Sequence, residues 1–293
     1  MTSTILDAAL CLLLVSAGTV AVSTAPDGGD STATTRRTGA DAAAETVATS
    51  TATVNYTLAP GTRRVPGSRV LFPTTGGPAF RRTAHGTLAA LLADATMGRV
   101  TIGGKRLTRT RDDLATGVRR AVRAAIGGTH TQVVAVWSPY PGASVRGRTT
   151  VGERPPPGAD VRAATVVAAS GAPAGGRPEG SGNGSYETLA RRVAARTVGT
   201  LFPPAAMRFA LGADYPASAF ARQRYARAAQ LSSARGVVEH VRRGEVRAAN
   251  RRLAAALADR VERDLRREFD SPAAVARAVA VDRVRIVVRR WSP

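Results

Sequence analysis

The body of this chain has no cysteine. Its single cysteine, Cys11, falls inside an apolar N-terminal run, so no intramolecular disulfide can staple the fold, and thiol chemistry does not indicate a compartment. The preceding residues, "AALC", put leucine where a lipid-attachment box needs a small residue, which argues against a lipoprotein. Aromatic residues make up 4% of the chain, too few to form a stacking platform for nucleic-acid bases, and the 44% hydrophobic content leans on alanine and valine. Lysine is nearly missing, since Lys105 is the only one among 42 basic residues. Arginine in place of lysine has a bland cause in GC-rich coding. The shortage of acid does not: 21 acidic residues leave a net charge of +21, and such a surface attracts phosphates, acidic lipid headgroups or acidic glycans.

The usual marks of catalysis are missing too. His85, His130 and His240 lie far apart, and none is three or four residues from another histidine or a cysteine, so zinc-type spacing is absent. "TIGGKRLT" has glycines before a lysine without the spacing of a P-loop, and G-x-S-x-G does not occur. The acid pair Asp112-Asp113 reads as the negatively charged first turn of a helix. No catalytic, cofactor-binding or metal-ligating residue is assigned, and the chain reads as a non-enzyme.

What is present begins at the N-terminus. Ala8 to Ala25 contains no charge, and Ile5 and Leu6 extend the apolar run past Asp7 to about the 20 residues that cross a bilayer as a helix. Residues 1–26 are therefore expected to be a single transmembrane helix. A cleaved signal peptide is the rival, with Ser23 and Ala25 as a small-x-small pair, although Pro26 is a poor residue after a cut and no basic region comes first. Asp7 at the hydrocarbon edge is costly unless it is interfacial or paired. It is the candidate helix-assembly residue, as in pilin-like subunits where such an acid meets a neighbour's N-terminal amine, although the basic leader of a prepilin is missing.

Orientation draws two ways. The first basic residues after the helix, Arg36 and Arg37, favour a cytoplasmic C-terminus. Outward evidence comes from the acidic near flank, Asp27 and Asp30, from a Ser/Thr/Ala-rich stalk over residues 27–52, and from sequons at Asn55 and Asn183, both candidate glycosylation sites. The outward orientation is preferred.

The expected body is α+β. Residues 53–170 hold an alternating strand that places Asn55 on the wet side, a short strand at "GSRVLFP", a helix across "HGTLAALLADATM" and a strand and turn at "GRVTIGGKRL". A helix from Arg111 to Ile126 carries Leu114, Val118 and Val122, and "TQVVAVW" follows as a buried strand. Ser138 to Gly158 reads as an extended loop, then Val161 to Ala168 as a strand. Residues 171–185 form a Gly/Pro/Ser-rich linker. The region 186–293 is mostly helical, with helices capped by Ser185 and Ser271, one starting after Pro216, and a long one through Val246, Leu253, Leu257, Val261 and Leu265. It ends in a strand that sets Val284, Ile286 and Val288 against Arg283, Arg285 and Arg289; lacking a partner nearby, this strand is expected to return to the first half's sheet.

Three stretches, "ILDAALCLLLVSAGTVAVSTAP", "VVAVWSPYPGASVRGR" with "PPPGADVRAATV", and "SPAAVARAVAVDRVRIVVRRWSP", together resemble an uncharacterised membrane-protein family of halophilic archaea whose genes lie beside type IV pilus or Tad-like secretion components. The resemblance implies a setting and no chemistry. The expectation is a membrane-anchored extracytoplasmic structural protein, pilin-like or accessory, without cofactor, whose partners are other assembly subunits and the membrane. Nucleic acid is disfavoured and polyanionic partners are admissible. The alternative is a cytoplasm-facing basic protein that binds anionic lipid or nucleic acid. The excess of positive charge departs from the acidic surfaces usual in halophiles.

Overall fold

The computed structural model describes residues 21–23, 39–65, 68–127, 129–172 and 184–292. Their architecture is mixed α+β with antiparallel sheets, and it is organised by the last strand. Strand β9 (Arg283–Trp291) lies between β6 (Thr131–Trp137) and β8 (Val161–Ala169), antiparallel to both. The full sheet has seven strands in the order β1 (Ala21–Ser23), β8, β9, β6, β7 (Val145–Val151), β4 (Thr101–Ile102) and β5 (Lys105–Arg106). A separate hairpin pairs β2 (Thr51–Thr57) with β3 (Arg81–Thr87). The C-terminal half thus contributes a central strand to the first half's sheet, and the two halves are one unit on either side of the linker.

The alternation in β9 explains its place. Val284, Ile286 and Val288 are fully buried, beside Val133, Ala135 and Trp137 of β6 and Ala164, Val166 and Ala168 of β8. The entry to β9 is held by the carbonyl of Val281, which accepts both the indole N–H of Trp137 at 2.9 Å and the hydroxyl of Ser170 at 2.8 Å. The pattern V-V-x-x-W-S-P occurs at 133–139 and again at 287–293, and its Val and Trp positions fall on these two neighbouring strands. Because β6 and β9 run antiparallel, their tryptophans sit at opposite ends of the pair, Trp137 near the start of β9 and Trp291 beside His130.

Two helices cover the inner face of the sheet, α1 (Gly39–Thr49) and α4 (Leu88–Met97). The helix α1 buries Ala40, Ala43, Ala44, Val47 and Ala48, small side chains that let it lie close to the strands. This corrects the stalk expected over residues 27–52: from Gly39 onward the segment is folded, its alanines forming one apolar helical stripe, and Thr51 already pairs in β2. Gly147 of β7 is needed for a similar approach, because a Cβ there would stand 2.4 Å from the carbonyl oxygen of Thr96. The turn of the β4–β5 hairpin uses Gly103 (φ 55°) and Gly104 (φ 77°), so these glycines serve a tight reversal.

Between the strands stand α2 (Ala59–Arg63), the single turn α3 (Ser68–Leu71) and α5 (Asp112–Ile126), the last with Leu114, Val118 and Val122 inward as expected. The second half supplies α6 (Tyr186–Leu201), α7 (Pro204–Gly212), α8 (Ala217–Ser232), α9 (Val237–Arg242), α10 (Val246–Glu268) and α11 (Pro272–Ala278). The pair α6 and α10 forms its spine, with Leu189 and Val193 on one helix and Leu253, Leu257, Val261 and Leu265 on the other all buried. Ser185 and Ser271 are the N-caps, accepting from the backbone N–H of Thr188 and Ala274 at 3.2 and 3.3 Å.

Further corrections follow from the tertiary context. "GSRVLFP" contributes the helical turn α3 and not a strand, since Phe72 alone anchors it while Val70 is left exposed. The expected loop over Ser138 to Gly158 contains β7, whose inward residues Val145, Gly147, Thr149 and Val151 alternate with Arg146 and Arg148. Strand β3 takes the first three residues of the helix expected across "HGTLAALLADATM", His85 to Thr87, so that the helix begins at Leu88. The expected transmembrane helix of residues 1–26 lies outside the described residues except for Ala21–Ser23, which pair with Thr165–Val167 as an edge strand. Among the described residues no helix is long and apolar enough to cross a membrane.

The central role of β9 gives a direct expectation. Ile286→Ala removes buried methylenes from the middle strand and is expected to lower the unfolding free energy by about 2–5 kcal/mol. Chemical denaturation followed by circular dichroism should show one cooperative transition in which helix and sheet signals are lost together; separate transitions for the two halves would contradict the single unit.

Candidate functional site

The outer face of the sheet carries a chemically distinct surface. With β9 central, residues of odd number in β9 and β8 point outward together with those of even number in β6 and β7, as the strand registers require. Val136 therefore has Arg285 on one side and Arg148 on the other, while Val134 lies between Val287 and Thr150. One step further, Arg289 is flanked by Gln132 and Ala163. The result is an apolar row of valines bordered above and below by arginines, spaced about 13 Å apart along β9 at roughly 3.3 Å per residue.

This face forms an open groove of about 460 Å³, closed at one end by Ser138, Tyr140 and Ala280. Arg285 and Arg289 are exposed, and among the described residues neither has a carboxylate within 4 Å. Arg283 meets the neighbouring Asp282 at 3.5 Å, and Arg148 donates to the hydroxyl of Thr150 at 3.4 Å. The valines between them are better shielded: Val134 is 5% exposed, and arginine stems on such a strand cover apolar neighbours while their heads stay in water. The surface can thus offer planar, bidentate donors on either side of a strip suited to apolar contact.

One buried carboxylate fixes the closed end. Asp264 of α10, 5% exposed, accepts the backbone N–H of Ser144 at 2.8 Å and the phenol of Tyr140 at 3.2 Å, and pairs with Arg267 at 2.8 Å. Burial, then the charge of Asp264, hold the Tyr140 phenol far above its ordinary pKa, so it stays a neutral donor. No sequence motif marks Asp264, because its partners are 124 and 120 residues away.

The residues singled out in the sequence do not converge. Asn55 is exposed on β2, with its side-chain oxygen accepting from Thr83 at 2.8 Å across the hairpin. Asp7 and Asn183 lie outside the described residues. His85 touches Thr53, His130 stands edge-on to Trp291, and His240 meets Glu245 at 2.6 Å. Asp112 is claimed by Arg106 at 2.6 Å and Asp113 by the backbone N–H of Thr57 at 2.8 Å. Among the described residues no three His, Cys, Asp or Glu side chains gather as metal ligands.

With this geometry in view, comparison with known proteins places the chain. It belongs to a family of unknown function, DUF7284, whose model matches residues 6–291. No curated protein and no solved structure matches it. The match runs from the apolar N-terminal run to the last residue of β9, so it takes in both the sheet and the helical second half.

The Asp264 clamp is open to test. Asp264→Ala strands the Ser144 N–H and the Tyr140 hydroxyl in a buried setting and is expected to cost about 2–4 kcal/mol of stability. Tyr140→Phe, which removes one long hydrogen bond, should cost about 1 kcal/mol or less. Denaturant unfolding of both variants and of the double variant checks this, with the double costing little more than Asp264→Ala alone.

Proposed function

We propose that this protein is a membrane-anchored, extracytoplasmic structural subunit, pilin-like or accessory, of a type IV pilus or Tad-like surface assembly, with no catalytic role. The observation that carries the reading is the outer sheet face, which offers valines and unpaired arginines as a surface for contact and has no arrangement suited to bond chemistry. The apolar run that precedes the edge strand Ala21–Ser23 supports a single-pass anchor, and Asp27, Asp30 and the sequon at Asn55 support an outward body.

The occupant proposed for the outer face is an acidic surface of another subunit. Two copies of this chain would oppose arginine to arginine there, which disfavours self-association through that face. In molar salt the Debye length falls to about 3 Å, so distant attraction is screened while guanidinium–carboxylate pairs in direct contact survive. An apolar strip between such pairs suits that condition, because burial of valine surface does not weaken with salt.

A second reading has its own support. Arg36 and Arg37 follow the apolar run, and the unpaired arginines would equally serve a cytoplasm-facing protein that holds anionic lipid or nucleic acid.

Protease treatment of intact cells carrying a C-terminal tag decides between them: loss of the tag, with a cytosolic control intact, is the result expected. Retention of the tag until lysis, together with salt-sensitive DNA binding by the purified protein, would favour the second reading. Two variants probe the assembly. Asp7→Ala is expected to abolish assembly and leave membrane insertion intact. Paired Arg285→Glu and Arg289→Glu changes, on exposed positions, should keep the thermal midpoint within a few degrees while co-purification of partner subunits is lost.

A further inference from the structure

A second cationic feature lies away from the sheet, between the β2–β3 hairpin and the helices α7 and α8. Here a cleft of about 210 Å³ is bordered by Arg82, Arg111 and Arg224, with Thr108, Thr110 and Gln223 among its polar walls. Tyr56, Leu58, Met207 and Phe220 supply apolar surface. Among the described residues no carboxylate lines it.

Arg224 is the residue that needs explaining. Its guanidinium stacks over the ring of Phe202, 5.3 Å from the centroid, and that ring stacks in turn on Tyr225 at 4.5 Å. Its Nε is sealed from solvent and has no hydrogen-bond partner among the described residues. Buried unpaired donors cost free energy, and a buried cation without a counter-charge costs more. Burial first, then the positive charge of Arg111, pull the pKa of Arg224 down to about 10. Two like charges thus stand beside one cleft.

The nearby acids are occupied or held back: Asp94 feels the charge of Arg111, but burial pushes its pKa up and favours its neutral form. Asp112 answers Arg106 at 2.6 Å, with Arg99 at 3.8 Å and Arg109 at 3.9 Å. Asp113 accepts from Thr57. Arg82 uses one Nη for the carbonyls of Ala79 and Arg81, which leaves its other nitrogens available. The hydroxyls of Thr108 and Thr110 share a single hydrogen bond of 2.9 Å, so one of them retains a donor. With Arg224 over the Phe202 ring and at the wall of the cleft, a guanidinium there can still donate in its own plane, the geometry by which it binds a tetrahedral or planar oxyanion.

We propose that this cleft is a binding site for a small oxyanion of the phosphate class, held by Arg224 and Arg111, steadied by Arg82 and a threonine hydroxyl, with the apolar walls receiving whatever carbon group the phosphate bears. The phosphate comes either as a free ion or as the head of a lipid. The bound anion supplies Arg224 with a counter-charge that none of the described residues gives it within salt-bridge distance, and it ties the hairpin to α8, two elements that belong to opposite halves of the sequence.

The test uses the full chain in detergent and the thermal midpoint at fixed ionic strength. Inorganic phosphate and, separately, short-chain phosphatidic acid replace chloride. The expected result is a saturable upward shift with at least one of them: a shift with free phosphate identifies the ion, and a shift with the phosphatidate alone identifies the lipid head. Arg224→Met and Arg111→Met are each expected to weaken the effect about 10- to 100-fold, the loss of a charge-assisted hydrogen bond. Should Arg224→Met fail to fold, because Phe202 loses its cover, Arg111→Met and the half-exposed Arg82→Ala decide the question. Absence of any shift beyond the chloride control with both probes overturns the site. So does binding that is unchanged in Arg111→Met and Arg82→Ala, which would move the anion to the outer sheet face.

Discussion

Everything in this protein depends on where its last strand goes. The hydrogen bonds that join β9 to β6 on one side and β8 on the other close a ladder whose members are separated by more than a hundred residues. Without β9, the six remaining strands divide into a pair on one side and a group on the other, and Val133, Trp137 and Val166 lose the neighbours that bury them. The clamp at Val281, which takes a proton donor from Trp137 and another from Ser170, sets the point at which that strand enters.

The same placement creates the outer surface. The two faces of β9 carry opposite chemistry by simple alternation, and once the valine face is buried the arginines must emerge on the other side. Their neighbours are fixed by register, so Val136 comes to lie between Arg285 and Arg148, residues from distant parts of the chain. A shift of one residue would reverse the arrangement and drive guanidinium groups into the core. The basic strip is therefore a by-product of the core's own requirement, refined by which residues β6 and β7 place alongside it.

Much of this was legible in the sequence, and the rest was hidden for physical reasons. The alternation of Val284, Ile286 and Val288 with arginine announced a half-buried strand, and the stripe from Val246 to Leu265 announced the long helix. Serines at 185 and 271 marked helix starts that the structure bears out. In contrast, α1 was masked by its composition, since a run of alanine and threonine reads alike as stalk and as a close-packed helix until a sheet is there to receive it. Strand β7 was masked by the proline- and glycine-rich residues around it, and its own Gly147 counts as a loop former until the approach of Thr96 is seen. The cleft around Arg224 could not be read at all, for its walls come from separate elements and its defining feature is a guanidinium nitrogen without a partner among the described residues.

The central position of the final strand also bears on how the molecule is made. Ribosomes add residues from the N-terminus at about 5–20 per second, and pairings between distant segments must wait for both to exist. For several seconds after β6 and β8 have been made, the slot between them stays empty and the sheet cannot close. The sheet is completed only when residues 283–291 arrive, and until then β6 and β8 have α1 and α4 for cover but no strand between them.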